Sequence, residues 1–331
     1  MNDVLLNSLY QAFPGITGNN RSTTKLKVGN ITDDVFLPFF GILGLVFLKK
    51  SQNNQQQVPR TKQALPQLAM QFPKIPYNCS LSVVLPAYNE EAIIQRIIQE
   101  VAQTLLALVS DFEILVINDG SKDQTAEKVK QLIPACPQLR LIQHTVNLGC
   151  GAALITGFTN ATKEYTFYMD ADGQFDIREL VHFLPLLQHY DGVFGFRQHR
   201  QDHWGRQLNG WCWNQIIRFM FNIHIKDIDC AYKIFRTEYF QRVTLDARGP
   251  LLLTEAVYKF LHAGYNYTQV GVSHYPRQGG RSTGAKPTVI LRAFYELFVY
   301  AQKWHRQEFK EYEQAQKFED LAKQEVHNVR L

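Results

Sequence analysis

The feature that most constrains the fold is an alternation of short apolar runs and amphipathic segments that begins near Leu81. The run at residues 81–85 ends at Pro86, and residues 90–108 then place isoleucines and leucines at helical spacing. The alternation continues, with strands predicted at residues 112–117, 139–144 and 165–169 and helices at residues 123–133 and 151–160. Buried strands joined by crossover helices predict an α/β fold with a doubly wound, mostly parallel sheet.

The residues before this pattern are predicted to be an extension. Residues 1–78 contain an uncharged apolar run at residues 35–48, which a Gln/Asn-rich linker and four prolines follow. The run is shorter than the roughly 20 residues of a spanning helix, although acidic residues precede it and Lys49 and Lys50 follow it. It is interpreted either as a membrane-dipping segment or as a helix packed on the main domain.

The residues after the pattern are predicted to be helical, over residues 286–331. They begin with an apolar stretch at residues 289–301, which Arg292 and Glu296 interrupt. Charges inside an apolar stretch favour a helix that lies at a membrane interface over one that spans the bilayer. The alternative is a helix docked on its own domain or on a partner. We expect a cytoplasmic protein attached peripherally to the cytosolic face of a membrane.

Charge and cysteine content exclude several classes of ligand. The chain has 35 Lys and Arg residues against 30 Asp and Glu residues, and its net charge of +5 is too small to predict nucleic-acid binding. The five cysteines are scattered, with no Cys-x-x-Cys pair and no histidine at zinc spacing. This pattern is typical of a reduced, cytosolic protein without a zinc site.

The loops after the predicted strands are candidate sites, because ligands of such sheets bind at the carboxyl ends of the strands. The sharpest motif is Asp170-Ala171-Asp172-Gly173-Gln174, directly after the fourth predicted strand. Two carboxylates beside a glycine turn, with the amide oxygen of Gln174, are hard ligands that favour Mg²⁺ or Mn²⁺. As an isolated triplet, the same residues also fit a solvated turn.

Polar residues follow the other strands as well. Tyr88 and Glu90 come after the first strand, where they can stack on a base and accept a hydrogen bond from ribose. Asp119 comes after the second strand, in a loop whose alternative use is to cap the next helix. Gly149-x-Gly151 resembles a dinucleotide fingerprint, but leucine occupies the third glycine position. These residues favour a nucleotide site without a nicotinamide cofactor.

Taken together, the motifs resemble the family 2 glycosyltransferases with the GT-A fold, most closely the dolichyl-phosphate mannose synthase-like branch. The resemblance covers residues 79–285. It implies a divalent ion, Mg²⁺ or Mn²⁺, held by Asp170, Asp172 and Gln174. It also implies that a nucleotide-sugar donor is bound by residues at three strand ends, namely Pro86, Tyr88, Glu90, Asp119 and Asp170.

The resemblance continues in two arginines and an acidic segment. Arg197 and Arg206 match family residues that contact phosphates. Residues 226–233 look like the segment that the family places near the acceptor. The resemblance therefore implies catalytic roles for Asp227 and Asp229 together with the two arginines. Ordinary surface or capping roles for these side chains remain open.

A closing loop completes the resemblance. Residues 274–282 look like the family's Arg-x-x-Gly-x-Ser segment. This implies that Arg277 and Ser282 contact the acceptor or its phosphate. An ordinary surface role for Arg277 is the alternative.

The function implied is metal-dependent, inverting transfer of a hexose from a UDP- or GDP-sugar to a polyprenyl or dolichyl phosphate. A phosphate acceptor is already anionic, whereas a hydroxyl acceptor needs Asp227 or Asp229 to take its proton. Transfer to a hydroxyl of a glycan, a protein or a small molecule is the alternative. This chain lacks the Gly-rich, Arg-containing loop that a sugar-nucleotide pyrophosphorylase needs after its first strand, which disfavours that enzyme class. The intact metal ligands disfavour a non-catalytic nucleotide-sugar sensor or membrane scaffold.

Overall fold

The computed structural model describes residues 76–198 and 204–277, together with residues 293, 295–297, 299–300 and 303–304. The apolar run at residues 35–48, the linker after it, Ser282 and most of the stretch at residues 289–301 lie outside the described residues. Within the described part of the chain, no helix has the length and apolar character needed to cross a membrane.

The described residues include seven strands and six α-helices. The strands are β1 (Tyr77–Ala87), β2 (Val109–Asn118), β3 (Leu139–Gln143), β4 (Tyr165–Met169), β5 (Gly192–Gln198), β6 (Tyr232–Arg236) and β7 (Tyr267–Ser273). The helices are α1 (Ile94–Leu108), α2 (Thr125–Leu132), α3 (Cys150–Asn160), α4 (Trp204–Phe221), α5 (Glu238–Arg242) and α6 (Leu252–His262). The predicted alternation up to β4 is confirmed, with ends that differ by a few residues.

The strands form one sheet in the order β3-β2-β1-β4-β6-β5-β7. β6 pairs antiparallel with β4 and with β5, and all other neighbouring strands are parallel, which confirms the mostly parallel sheet. Because β6 runs opposite to the other six strands, the turn before β6 lies at the edge where those strands end. Residues 222–231 therefore share an edge with the strand-end loops.

The core is built around β1, which is buried on both faces. Leu81, Val83 and Leu85 have no solvent exposure, and burial of each such side chain contributes about 1.5–3 kcal/mol. Ser82 is a polar exception, and its hydroxyl donates a 2.7 Å hydrogen bond to Oε1 of Glu113 on β2. Because residues 81–85 are buried on both faces and the one polar side chain among them is hydrogen-bonded, this part of β1 has a nearly continuous apolar sequence.

α3 packs closely against β1 at Gly157. A Cβ at this position would lie 2.2 Å from Cγ1 of Val84, so a larger residue would push the helix away from the strand. The close packing holds the N-terminus of α3 at the edge of the sheet where β1 ends. The loop before α3 is thereby positioned beside the other strand-end loops.

Candidate active site

The loop after β4 carries two carboxylates in one tight turn. Gly173 has a φ of 74°, and the turn lets the N–H of Gln174 donate to Oδ1 of Asp172 at 3.1 Å. The hydroxyl of Tyr168 donates to Oδ1 of Asp170 at 2.8 Å. Burial and the neighbouring charge of Asp172 raise the pKa of Asp170 to about 7. A cation between these two acids would stabilise their ionised forms.

The donors in this loop fit a hard divalent ion. Among the residues that the structure describes, no group of three or more His, Cys, Asp or Glu side chains is arranged to hold a metal. Mg²⁺ in nucleotide sites commonly takes one or two protein carboxylates and completes its shell with water and substrate phosphates. Asp170 and Asp172 meet that requirement when a diphosphate supplies further oxygens.

Gln174 joins this loop to the segment after β7. Its Nε2 donates to the carbonyl oxygen of Tyr275 at 3.1 Å. The N–H of Tyr275 donates in turn to the carbonyl oxygen of Gln174 at 2.9 Å. Gln174 is thus an anchor for residues 274–277, and its role as a metal ligand stays a prediction.

The anchored segment places Arg277 on two carboxylates. Its Nη1 lies 3.3 Å from Oδ2 of Asp172, and its Nη2 contacts Oε1 of Glu90. Burial raises the pKa of Glu90, although the charge of Arg277 opposes the shift. Oε2 of Glu90 is buried without a hydrogen-bond partner. Glu90 therefore retains an oxygen that can accept a hydrogen bond from a ligand.

The end of β1 presents the predicted nucleoside residues. Pro86 pairs with Ile117 of β2, and Tyr88 follows the strand directly; both are half-buried. Asn89 has a φ of 56°, and its N–H donates to Oγ of Ser121 at 3.0 Å. This bond ties the first strand-end loop to the second.

Asp119 is buried at the end of β2 and is held by the loop before α3. Its Oδ1 accepts hydrogen bonds from Nδ1 of His144 at 2.8 Å and from the N–H of Leu148 at 2.9 Å. Its Oδ2 accepts from the N–H of Gly149 at 2.8 Å. Nε2 of His144 lies 2.9 Å from the hydroxyl of Thr156. The sequence analysis predicted no role for His144. Its position directly after β3 is the signal that could have identified it as a residue of the site.

Arg197 and Asp227 form a largely buried ion pair at the end of β5. Nε and Nη2 of Arg197 donate to Oδ2 and Oδ1 of Asp227 at 2.6 and 2.7 Å. The two side chains are 12% and 8% exposed. Burial lowers the pKa of Arg197, but the hydrogen bonds and charge of Asp227 outweigh that effect and raise it. Arg197 is therefore not an ordinary surface arginine.

Asp229 keeps access to solvent in the same turn. Loss of water around the carboxylate and the charge of Asp227 raise its pKa to about 6, although the charges of Arg197 and Lys233 oppose the shift. Lys233 is fully buried beneath the turn, and its Nζ donates to the carbonyl oxygen of Cys230 at 2.6 Å. Asp229 is thus the acid of this turn that can exchange a proton with a ligand.

A groove of about 470 Å³ opens beside the Arg197–Asp227 pair. Trp211 and Arg218 of α4 line it, together with Lys226. Trp211 is 60% exposed. Positive charge beside an exposed aromatic ring suits an anionic ligand with an apolar part.

The predicted residues of the strand-end loops converge on this edge of the sheet. The charges of Asp172, Arg197 and Arg277 all act on Asp170. The positions of two predicted site residues stay predictions, because Ser282 and the side chain of Arg206 lie outside the described residues.

Comparison with known families supports the class inferred from the motifs. The model of glycosyl transferase family 2 matches residues 82–244, from β1 to just beyond α5. This stretch of the chain is similar to glycosyl transferase family 2. The match includes the strand-end loops and the turn before β6, so the resemblance inferred from the motifs is confirmed.

Curated relatives of this chain include three enzymes named for polyprenyl phosphates. An undecaprenyl-phosphate 4-deoxy-4-formamido-L-arabinose transferase of Aeromonas hydrophila is 30% identical over 159 residues, which are 47% of this chain and 48% of that protein. A dodecaprenyl-phosphate galacturonate synthase of Rhizobium johnstonii is 27% identical and covers 51% of each chain. A dolichyl-phosphate beta-glucosyltransferase of Trichomonas vaginalis is 31% identical and covers 54% of this chain and 58% of that protein. The chain spans about half the length of the curated relatives it matches.

Solved structures of similar fold confirm the GT-A architecture. Glucosyl-3-phosphoglycerate synthase from Mycobacterium tuberculosis, in complex with phosphoglyceric acid, has a TM-score of 0.50 and 19% identity, and covers 64% of this chain and 76% of that chain. The same enzyme with Mn²⁺, UDP-glucose and phosphoglyceric acid has a TM-score of 0.51 and 17% identity, and covers 68% of this chain and 80% of that chain. At these identities the likeness concerns the fold.

Proposed function

We propose that this protein is a metal-dependent, inverting glycosyltransferase that moves a hexose from a UDP- or GDP-sugar to a polyprenyl phosphate. The observation that carries the proposal is the convergence of Asp170 and Asp172 with Arg197 and Arg277 at one edge of the sheet. The family 2 domain supports the reaction class. The relatives named for undecaprenyl, dodecaprenyl and dolichyl phosphates support the acceptor class.

The carboxylates after β4 are assigned to the metal. Asp170 and Asp172 would hold Mg²⁺ or Mn²⁺, with Gln174 as a further ligand. When bound, the ion neutralises charge that builds on the departing nucleoside diphosphate. The hard oxygen donors carry this assignment, and the similar fold solved with Mn²⁺ and UDP-glucose is consistent with it.

The nucleoside is assigned to the edge formed by the first two loops. Tyr88 stacks on the base, beside Pro86. The unpaired oxygen of Glu90 accepts a hydrogen bond from a ribose hydroxyl. Asp119, fixed by His144 and two backbone N–H groups, accepts an N–H of the base through its remaining lone pair.

The acceptor phosphate is assigned to the groove beside Arg197. Arg218 and Lys226 line this groove, and Arg206 and Ser282 are added by the motif resemblance. The phosphate is an anion at pH 7, so it attacks the anomeric carbon in line without a strong general base. The bond from that carbon to the diphosphate breaks as the new C–O bond forms, which inverts the configuration.

A hydroxyl acceptor is the second candidate, and Asp229 is the observation that favours it. Asp227 is occupied by Arg197, whereas Asp229 is accessible and has a pKa of about 6. An ionised Asp229 is a suitable general base near neutral pH. Transfer to a hydroxyl should therefore fall as pH drops below about 6, and transfer to a phosphate should lack that dependence on Asp229.

Attachment to the cytosolic face of a membrane is part of the proposal. A polyprenyl phosphate presents its charged group at the membrane surface while its chain stays in the bilayer. Residues 35–48 and 289–301 are the candidate attachment segments from the sequence. Flotation with anionic liposomes, for the full chain and for chains without residues 1–75 or 288–331, tests this attachment.

The function is tested by a panel of UDP- and GDP-sugars, each incubated with Mn²⁺ or Mg²⁺ and with or without polyprenyl phosphate. Release of nucleoside diphosphate that depends on the lipid, with a glycosylated lipid detected by mass spectrometry, is the expected result. Asp229→Asn should retain this activity. Transfer only to a soluble hydroxyl, lost in Asp229→Asn, would favour the second candidate. No transfer with any pair of substrates would contradict both.

A further inference from the structure

Arg277 bridges two buried carboxylates at the centre of the proposed donor site. It contacts Oε1 of Glu90 and lies 3.3 Å from Oδ2 of Asp172. Those residues are 6% and 7% exposed, so little water is available to replace the guanidinium. The pairing of Gln174 with Tyr275 holds the backbone two residues before Arg277.

The guanidinium therefore supplies positive charge where a divalent ion would otherwise supply it. Its charge reaches Asp170 as well as Asp172. A metal ion that arrives alone must displace the guanidinium from Asp172, which breaks that ion pair and leaves Arg277 with the carboxylate of Glu90.

We propose that Arg277 is a resident cation that excludes a divalent ion arriving alone and admits the ion together with a nucleoside diphosphate. The inference rests on the proposed function, because it takes Asp170 and Asp172 as metal ligands. A diphosphate supplies oxygens to the ion and also gives the planar guanidinium of Arg277 a new anionic partner. The exchange leaves no buried charge unpaired.

Two other roles for Arg277 predict different results. If Arg277 only orients a phosphate, its removal leaves the affinity for metal alone unchanged. If Arg277 only stabilises the loop, its removal disorders Asp172 and weakens metal binding. A gain in affinity for metal alone is expected only when the guanidinium and the ion compete for the same carboxylates.

The test measures Mn²⁺ binding to the full chain without nucleotide, from the electron paramagnetic resonance signal of the free ion. Arg277→Gln should bind Mn²⁺ at least about tenfold more tightly than the native chain, because the carboxylates no longer face a competing charge. Arg277→Lys keeps the charge and should stay within about threefold of native. Arg178→Gln is the matched control, because Arg178 is 31% exposed against 28% for Arg277 and pairs with Asp176 instead.

The outcomes separate this inference from the proposed function. Unchanged or weaker Mn²⁺ binding by Arg277→Gln, while the native chain still binds Mn²⁺ together with UDP or GDP, overturns the inference alone. Failure of the native chain to bind Mn²⁺ even with both nucleotides overturns the proposed metal site. Should Arg277→Gln not fold, Arg277→Met gives the same comparison with an apolar side chain of similar length.

Discussion

Asp227→Asn should destabilise the protein far more than the loss of an exposed ion pair would. The carboxylate of Asp227 makes two side-chain hydrogen bonds with Arg197, at 2.6 and 2.7 Å, and both side chains are largely buried. Removing one partner of a buried pair leaves the other charge uncompensated, which typically costs 3–5 kcal/mol. The nearby charge of Asp229 still attracts Arg197 in this variant. We therefore expect the free energy of unfolding to fall by about 3 kcal/mol, at the lower end of that range.

Urea unfolding followed by circular dichroism measures this loss. With a slope of about 3 kcal/mol per molar urea, the midpoint should fall by about 1 M. Glu100→Gln is the control, because Glu100 pairs with Arg96 at a similar 2.8 Å while 39–45% of each side chain is exposed. That exposed pair should contribute no more than about 0.5 kcal/mol.

A double variant separates burial of charge from loss of packing. Arg197→Met with Asp227→Leu removes both charges and retains apolar volume. The free energy of unfolding of this double variant should therefore be within about 1 kcal/mol of the native value. A loss in Asp227→Asn no greater than in Glu100→Gln would refute the reasoning. So would a double variant that is less stable than Asp227→Asn.

Three further variants test other parts of the site. Asp172→Asn should abolish metal-dependent nucleotide binding in calorimetry while the chain keeps its native circular dichroism spectrum, because an amide lacks the charge that holds a hard cation; full binding in excess chelator would contradict this. Asp119→Ala should raise the donor KM more than it lowers kcat, because its contact is remote from the anomeric carbon; an effect confined to kcat would show that Asp119 is misplaced. Gly120→Ala should lower the free energy of unfolding in urea by at least about 2 kcal/mol, because Gly120 has a φ of +66° and a Cβ would lie 2.4 Å from the carbonyl carbon of Val146. Gly264→Ala, at a φ of +82° with nothing within 4 Å, should lose only about 1 kcal/mol, and equal losses would contradict the clash.

The first half of the fold could be predicted because its signals are local. The strands β1 to β4 are short apolar runs, and α1 carries its buried residues at helical spacing. The loop after β4 was recognisable for the same reason, since Asp170 and Asp172 are two residues apart and follow a fully buried strand.

The second half depends on pairings that local patterns do not contain. The antiparallel direction of β6 follows from its place between β4 and β5, and it brings Asp227 and Asp229 to the edge where β4 ends. The contact of Arg277 with Glu90 joins residues 187 positions apart. Such contacts arise when the sheet is assembled, so the sequence pointed to Asp227, Asp229 and Arg277 only through family resemblance.

Diffraction from crystals grown with Mn²⁺ and UDP or GDP tests the central claim most directly. The account predicts a Mn²⁺ anomalous peak about 2 Å from carboxylate oxygens of Asp170 or Asp172 and from the diphosphate, with Arg277 turned from Asp172 to a phosphate. An ordered nucleotide with no anomalous peak at these carboxylates, or a peak held by other residues, would contradict it.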